Sequence, residues 1–253
     1  MGRGPGGADA AFHPLPARLF RDVGRNPPGA GPRGRGAWRQ PDLRAAHRAW
    51  SRRGGDWVDD TALFLDLARA AGERVLVIGT STGGTLAAYA ATDPEMARDM
   101  AGIVMLSPNF RVANPAAVLT ELGFARHLVP LLAGAERGFA PLNDRQARFW
   151  TTRYGTDALT SLGTLMRETR ARDLAAAEVP VLAIFSDLDQ VVSAAATREA
   201  LLSWGGGPVT LVPLDLPEAG ADPFHHVVAG DILSPAMTGP VTETVLGWID
   251  DSL

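Results

Sequence analysis

Ser81, the pair Asp187 and Asp189, and the pair His225 and His226 follow one another along the chain in an order from which a proton relay can be built. Ser81 lies in Gly79-Thr80-Ser81-Thr82-Gly83, a G-x-S-x-G pentapeptide. Before it, Val75 to Ile78 is a short, apolar, β-branched run that reads as a buried strand. After it, Thr85 to Ala91 is a small-residue pattern that reads as a helix. Strand, G-x-S-x-G and helix together make a nucleophile elbow. Its turn is so sharp that side chains two residues either side of the serine would collide, so Gly79 and Gly83 must be small. The turn holds the Ser81 oxygen clear of the backbone at a helix N-terminus. It also aims the Thr82 N–H at the place where an oxyanion would form. The competing reading is a Gly/Ser-rich strand-to-helix turn that binds a phosphate or nothing.

The candidate acid follows a later apolar run, Val179 to Phe185, in Ser186-Asp187-Leu188-Asp189-Gln190-Val191-Val192. Asp189 stands where a carboxylate should hold an imidazole tautomer. Asp187 is its rival and would more naturally cap or brace the turn. The candidate base follows one more strand-like run, Val209 to Leu214. His226 directly precedes the apolar pair Val227-Val228 and is preferred; His225 beside it is the rival, which could be a solvated side chain. The chemistry expected of such a set is acyl transfer: His226 takes the Ser81 proton, Asp189 orients the imidazolium, and the Thr82 N–H holds the oxyanion. The chain has no cysteine, which excludes disulfides, thiolate catalysis and cysteine-based zinc sites.

These residues need a scaffold, and 253 residues with 46% apolar content suit one α/β domain carrying an inserted piece. From Asp56 an apolar helical pattern, with Asp56, Asp59 and Asp60 in its first turn, leads to Gly72 and the elbow strand. Gly102 to Leu106 reads as a second buried strand, broken by Ser107-Pro108-Asn109. Strands alternating with helices predict a mostly parallel sheet with helices on both faces. Residues 54–109 and 177–253 are its expected core. Residues 110–176 are too long for an ordinary crossover and are expected to form a helical cap. There Trp150 and Tyr154 either line an acyl pocket or, more plainly, pack within the cap. Thr242 to Ile249 reads as a closing helix. No apolar run is long enough to span a bilayer and no leader pattern opens the chain, so a cytoplasmic protein without stable membrane insertion is expected.

Residues 1–53 differ from the rest. The formal net charge is -4 and all 24 basic residues are arginine, many of them in this segment. Gly- and Pro-rich stretches such as Asn26-Pro27-Pro28-Gly29 cannot be element interiors. Leu19-Phe20 is too short a run to predict a strand. Without interleaved aromatic residues the arginines do not suggest nucleic-acid binding.

Taken together, Gly79 to Ala87, Leu106-Ser107-Pro108-Asn109-Phe110, Asp189-Gln190-Val191-Val192 and His226 to Pro235 resemble a bacterial α/β hydrolase. The similarity is to the lysophospholipase/carboxylesterase-like set, grouped with monoacylglycerol lipases and serine aminopeptidase S33-like hydrolases. It covers about Asp56 to Leu253. It implies the α/β-hydrolase fold and hydrolysis of small-molecule carboxylic esters, lipid-like or with small apolar acyl groups, through Ser81, Asp189 and His226 without a cofactor. The front departs from the resemblance, because no His-Gly pair follows an apolar strand to supply a second oxyanion N–H. Residues 1–53 are therefore expected to be an irregular basic arm, unstructured or translated out of frame. The alternative function is an impaired hydrolase-fold module that binds an apolar ligand beneath the cap. Transfer of the acyl group to an acceptor other than water is a third reading.

Overall fold

Strict alternation along three apolar runs decides which side chains go to which face of a sheet. The structure, a computed structural model, describes residues 18–20 and 54–253. The three runs are β2 (Val75–Thr80), β3 (Met100–Leu106) and β6 (Val181–Phe185), numbered with β1 (Arg18–Phe20), β4 (Glu136–Gly138), β5 (Arg153–Gly155) and β7 (Val209–Pro213). The helices are α1 (Gly54–Ala71), α2 (Thr82–Ala91), α3 (Pro94–Ala97), α4 (Ala125–Ala133), α5 (Asp144–Phe149), α6 (Thr156–Ala171), α7 (Ala194–Leu202) and α8 (Pro235–Ser252).

Among the described residues the main sheet has five strands in the order β1-β2-β3-β6-β7. Pairings β2–β3, β3–β6 and β6–β7 are parallel, with Val77 opposite Ile103 and Ile103 opposite Val181. Val75, Val77, Ile103, Met105, Val181, Ala183 and Phe185 meet Leu65 of α1, Ala87 of α2 and Leu201 of α7. Their neighbours in sequence, Leu76, Val104, Leu182 and Ile184, face the other way and meet Met237, Val241 and Trp248 of α8. Burying each large aliphatic or aromatic side chain is worth about 1.5–3 kcal/mol, so both faces must be covered for the sheet to persist. Parallel strands covered on both faces align their C-terminal ends at one edge, and there the loops that follow β2, β6 and β7 carry Ser81, Asp189 and His226.

Three sequence expectations need correction. Residues 18–20 form a strand, antiparallel to β2 with Leu19 opposite Val77. So short a run has no periodicity to detect; a strand edge pairs through backbone groups whatever the side chains are. The remainder of residues 1–53, with the expectations of an irregular or out-of-frame arm and a missing His-Gly loop, lies outside the described residues. Second, residues 110–176, expected to be mostly helical, also hold a short two-stranded ribbon. After a 3-10 segment at Pro115–Glu121 and α4, strands β4 and β5 pair antiparallel, with Arg137 opposite Tyr154. Trp150 and Tyr154 lie around this ribbon, half-buried. Third, α8 begins at Pro235, upstream of the expected Thr242, and carries Pro240 inside it. Proline is well placed at the first helical position, and the buried Met237 and Val241 offset the bond lost at Pro240.

Helix α6 joins the segment after β3 to the core. Leu162, Leu165 and Met166 pack with Trp57 and Val112. Arg170 donates to the Phe110 carbonyl at 2.6 Å and pairs with Glu121 at 2.5 Å.

Candidate active site

Ser81 occupies φ 53 and ψ -117, a combination that L-residues rarely adopt. The surrounding packing fixes it there. Ser81 N–H donates to the Leu106 carbonyl at 2.8 Å, and the Ser81 carbonyl accepts from Gly84 at 2.9 Å and Asn109 at 3.1 Å. The Thr85 hydroxyl donates to the Asn109 carbonyl at 2.6 Å. So Ser107-Pro108-Asn109, which the sequence marks only as a strand end, is the support beneath the elbow. What could have revealed it is its place directly after the strand that neighbours the elbow strand.

Gly79 answers to the steric argument made from the spacing. A Cβ on Gly79 would collide with the Gly83 carbonyl oxygen, lie 2.5 Å from the Gly83 carbonyl carbon and reach within 2.7 Å of Gly84 N. Gly84 has the same constraint toward Pro108, whose Cβ would lie 2.7 Å away. Gly79→Ala is expected to destabilise the protein by about 1–3 kcal/mol, because strand and helix must part to admit one methyl. The shift of the urea midpoint at constant slope measures this; an unchanged midpoint contradicts it.

The structure brings the preferred residues of both pairs to Ser81. Ser81 Oγ and His226 Nε2 are 3.1 Å apart, and His226 Nδ1 lies 2.8 Å from Asp189 Oδ2. A carboxylate accepts only, so Nδ1–H donates to Asp189, leaving Nε2 free to accept the Ser81 hydroxyl proton. The other Asp189 oxygen accepts from the N–H groups of Val191 at 2.7 Å and Val192 at 2.9 Å, which fixes the carboxylate plane. Gln190 N–H donates to the Phe224 carbonyl at 3.0 Å and ties the acid loop to the histidine loop. All three side chains are withdrawn from water: Ser81 is 1% and His226 3% exposed, and the Asp189 side chain is 1% exposed. Low dielectric strengthens each of these bonds.

The rivals go elsewhere. Asp187 pairs with Arg198 of α7 at 2.7 Å, on the surface. His225 is half-buried at φ 56, and its buried Nδ1 has no partner among the described residues. Thr82 follows Ser81 as the first residue of α2, buried, where helix N–H groups have no partner within the helix. Sequence reasoning missed Asp222, a buried carboxylate that accepts N–H bonds from Phe224, His226 and Val227. Its signal was Asp222-Pro223, a turn-initiating pair four residues before His226.

Among the described residues no group of three or more His, Cys, Asp or Glu side chains could hold a metal ion. Also among them, no helix is long and apolar enough to cross a membrane. A depression of about 350 Å³ lies on the β4–β5 ribbon, lined by Arg137, Phe139 and Arg153 among others; Ser81, Asp189 and His226 are not part of it.

A sequence profile described as serine aminopeptidase, S33, matches residues 32–211, a span that includes Ser81 and Asp189 and stops before His226. No curated protein matches the sequence significantly. Among solved structures, one from work on LipS and LipT, two metagenome-derived lipolytic enzymes, aligns with TM-score 0.59 and 18% identity over 79% of this chain and 75% of that one. A soluble variant of the Saccharomyces cerevisiae monoglyceride lipase, in complex with a substrate analogue, aligns with TM-score 0.54 and 12% identity over 78% and 68%. The Paleococcus ferrophilus monoacylglycerol lipase aligns with TM-score 0.54 and 14% identity over 78% and 75%.

Proposed function

Because the chain belongs to the serine aminopeptidase S33 family of α/β hydrolases, we propose that it hydrolyses carboxylic esters through an acyl-enzyme on Ser81. The observation that carries this reading is the continuous hydrogen-bonded line from Ser81 Oγ through His226 to Asp189. In the proposed mechanism His226 Nε2 takes the hydroxyl proton as Oγ attacks the ester carbonyl. Asp189 keeps the proton on Nδ1 and stabilises the imidazolium. The Thr82 N–H receives the carbonyl oxygen as it becomes an oxyanion. His226 then returns the proton to the departing alcohol, and a water attacks the acyl group by the same steps in reverse order.

A lipid-like or other apolar acyl group is the proposed substrate class. The segment after β3 exposes Val118 (58%), Phe124 (58%), Leu131 (84%) and Leu132 (65%), an unusual concentration of apolar side chains in water.

An active-site-directed fluorophosphonate tests the nucleophile directly. Wild-type protein is expected to take up one equivalent at Ser81, located by peptide mass, and to cleave p-nitrophenyl esters but not aminoacyl p-nitroanilides. A folded sample that stays unlabelled points instead to a ligand-binding module. Cleavage of the anilides at comparable rate overturns the ester assignment, and new esters formed on adding alcohols reveal transfer to acceptors other than water.

A further inference from the structure

The connection from β7 to α8 that carries His226 has no regular secondary structure, yet it must hold an imidazole between two partners at hydrogen-bonding distance. Four successive N–H groups of this loop all end on one residue. Phe224 N–H donates to Asp222 Oδ1 at 3.1 Å and His225 N–H to the Asp222 carbonyl at 2.9 Å. His226 and Val227 N–H both donate to Asp222 Oδ2, at 3.3 and 2.8 Å. Successive N–H groups curled around an anion form a nest, and a residue in the left-handed region is what curls them. His225, at φ 56, is that residue here, so its strained backbone is the geometry by which the loop closes on the carboxylate.

Asp222 is itself held. Ser234, 0% exposed and at the start of α8, accepts the Asp222 N–H at 2.9 Å and donates to the Val227 carbonyl. One hydroxyl thus locks both ends of the loop to a helix that is packed on the sheet.

We propose that Asp222, secured by Ser234, is a positioning residue that sets the place of His226 between Ser81 and Asp189. The inference rests on the reading of His226 as the general base. Asp222 does not reach Ser81 or the substrate. It acts through the His226 backbone, and its carboxylate suits the task because both oxygens accept and neither donates. A carboxamide there keeps one accepting oxygen and turns an NH₂ toward an N–H.

The test is steady-state hydrolysis of p-nitrophenyl butyrate by the full chain and its Asp222→Asn variant, with Ser81→Ala and His226→Ala as controls. Misplacement of a catalytic group by about 1 Å costs about a hundredfold, so kcat of Asp222→Asn is expected to fall by that factor. KM is expected to stay within about twofold, since binding of the ester is untouched. A second readout is the downfield proton resonance of the His226 Nδ1–H on Asp189, present in wild type and expected to broaden or vanish in Asp222→Asn. Unchanged kcat overturns the proposal. So does a fall in kcat with that resonance intact, and so does a rise in KM at constant kcat. If Asp222→Asn does not fold, Ser234→Ala, which leaves the carboxylate in place, decides the matter by the same readouts, with a fall of about tenfold expected for one lost hydroxyl bridge. Activity retained in Ser81→Ala or His226→Ala is a different failure: it overturns the assignment of nucleophile or base, whatever Asp222→Asn does.

Discussion

Ser81→Ala is expected to lower kcat for short p-nitrophenyl esters by about a millionfold while leaving the fold and its thermal midpoint unchanged. The size follows from the proposed role: without Oγ there is no acyl-enzyme, and His226 and Asp189 have no proton to move. The silence of the fold follows from a separate observation. A serine at a helix N-cap usually spends its side chain on a free N–H of the first turn, and replacing it by alanine costs about 1 kcal/mol. Ser81 stands at the N-cap of α2 but makes no such side-chain bond; its oxygen is turned to His226. Alanine at this position therefore removes the nucleophile and no cap. Retained turnover in a folded Ser81→Ala protein would remove the nucleophile assignment, and a large fall in the midpoint would show that Ser81 supports the helix after all.

How much of this was legible depends on how local each signal is. The elbow is written in five consecutive residues, because the collision that Gly79 avoids is with Gly83, four residues on. The buried strands were legible too, since Val75 to Ile78 and Val179 to Phe185 are continuous apolar runs; which side chains meet which helix layer was not, because every position in them is apolar. What escaped was whatever depends on a partner distant in sequence. β1 exists by pairing with β2, and the β4–β5 ribbon by pairing across α5. Helix α8 runs through Pro240 because the sheet pays in buried area for the missing bond. Asp222 escaped for a related reason: the sequence shows a turn-forming Asp-Pro, but not that four N–H groups of the next residues converge on it. The choice within each catalytic pair lies between these cases. Sequence context preferred Asp189 and His226; the structure sets these two in hydrogen-bonded line with Ser81 and pairs Asp187 with Arg198.

That choice gives the second large effect. Asp189→Asn is expected to cost about 10⁴-fold in kcat, and His226→Ala at least as much, whereas Asp187→Asn and His225→Ala stay within about tenfold of wild type. An amide at position 189 has an NH₂ that can face Nδ1, which stabilises the wrong tautomer: the proton moves to Nε2, and the Ser81 hydroxyl loses its acceptor. The bonds from Val191 and Val192 to the other oxygen can persist, so the loss falls on chemistry and not on the fold. Asp187 offers a contrast in the same loop. Its partner is Arg198, with side chains 57% and 38% exposed, and an exposed ion pair is worth about 0–1 kcal/mol, so the charge is dispensable. His225→Ala keeps the backbone N–H that closes on Asp222 and loses only a ring whose Nδ1 has no partner among the described residues; histidine already bears the strain of positive φ, so alanine there is expected to change stability by no more than about 1 kcal/mol. Measuring kcat and the urea midpoint for all four variants separates the two kinds of loss. A large fall in kcat for Asp187→Asn with Asp189→Asn near wild type would reassign the acid, and the mirror result at His225 and His226 would reassign the base.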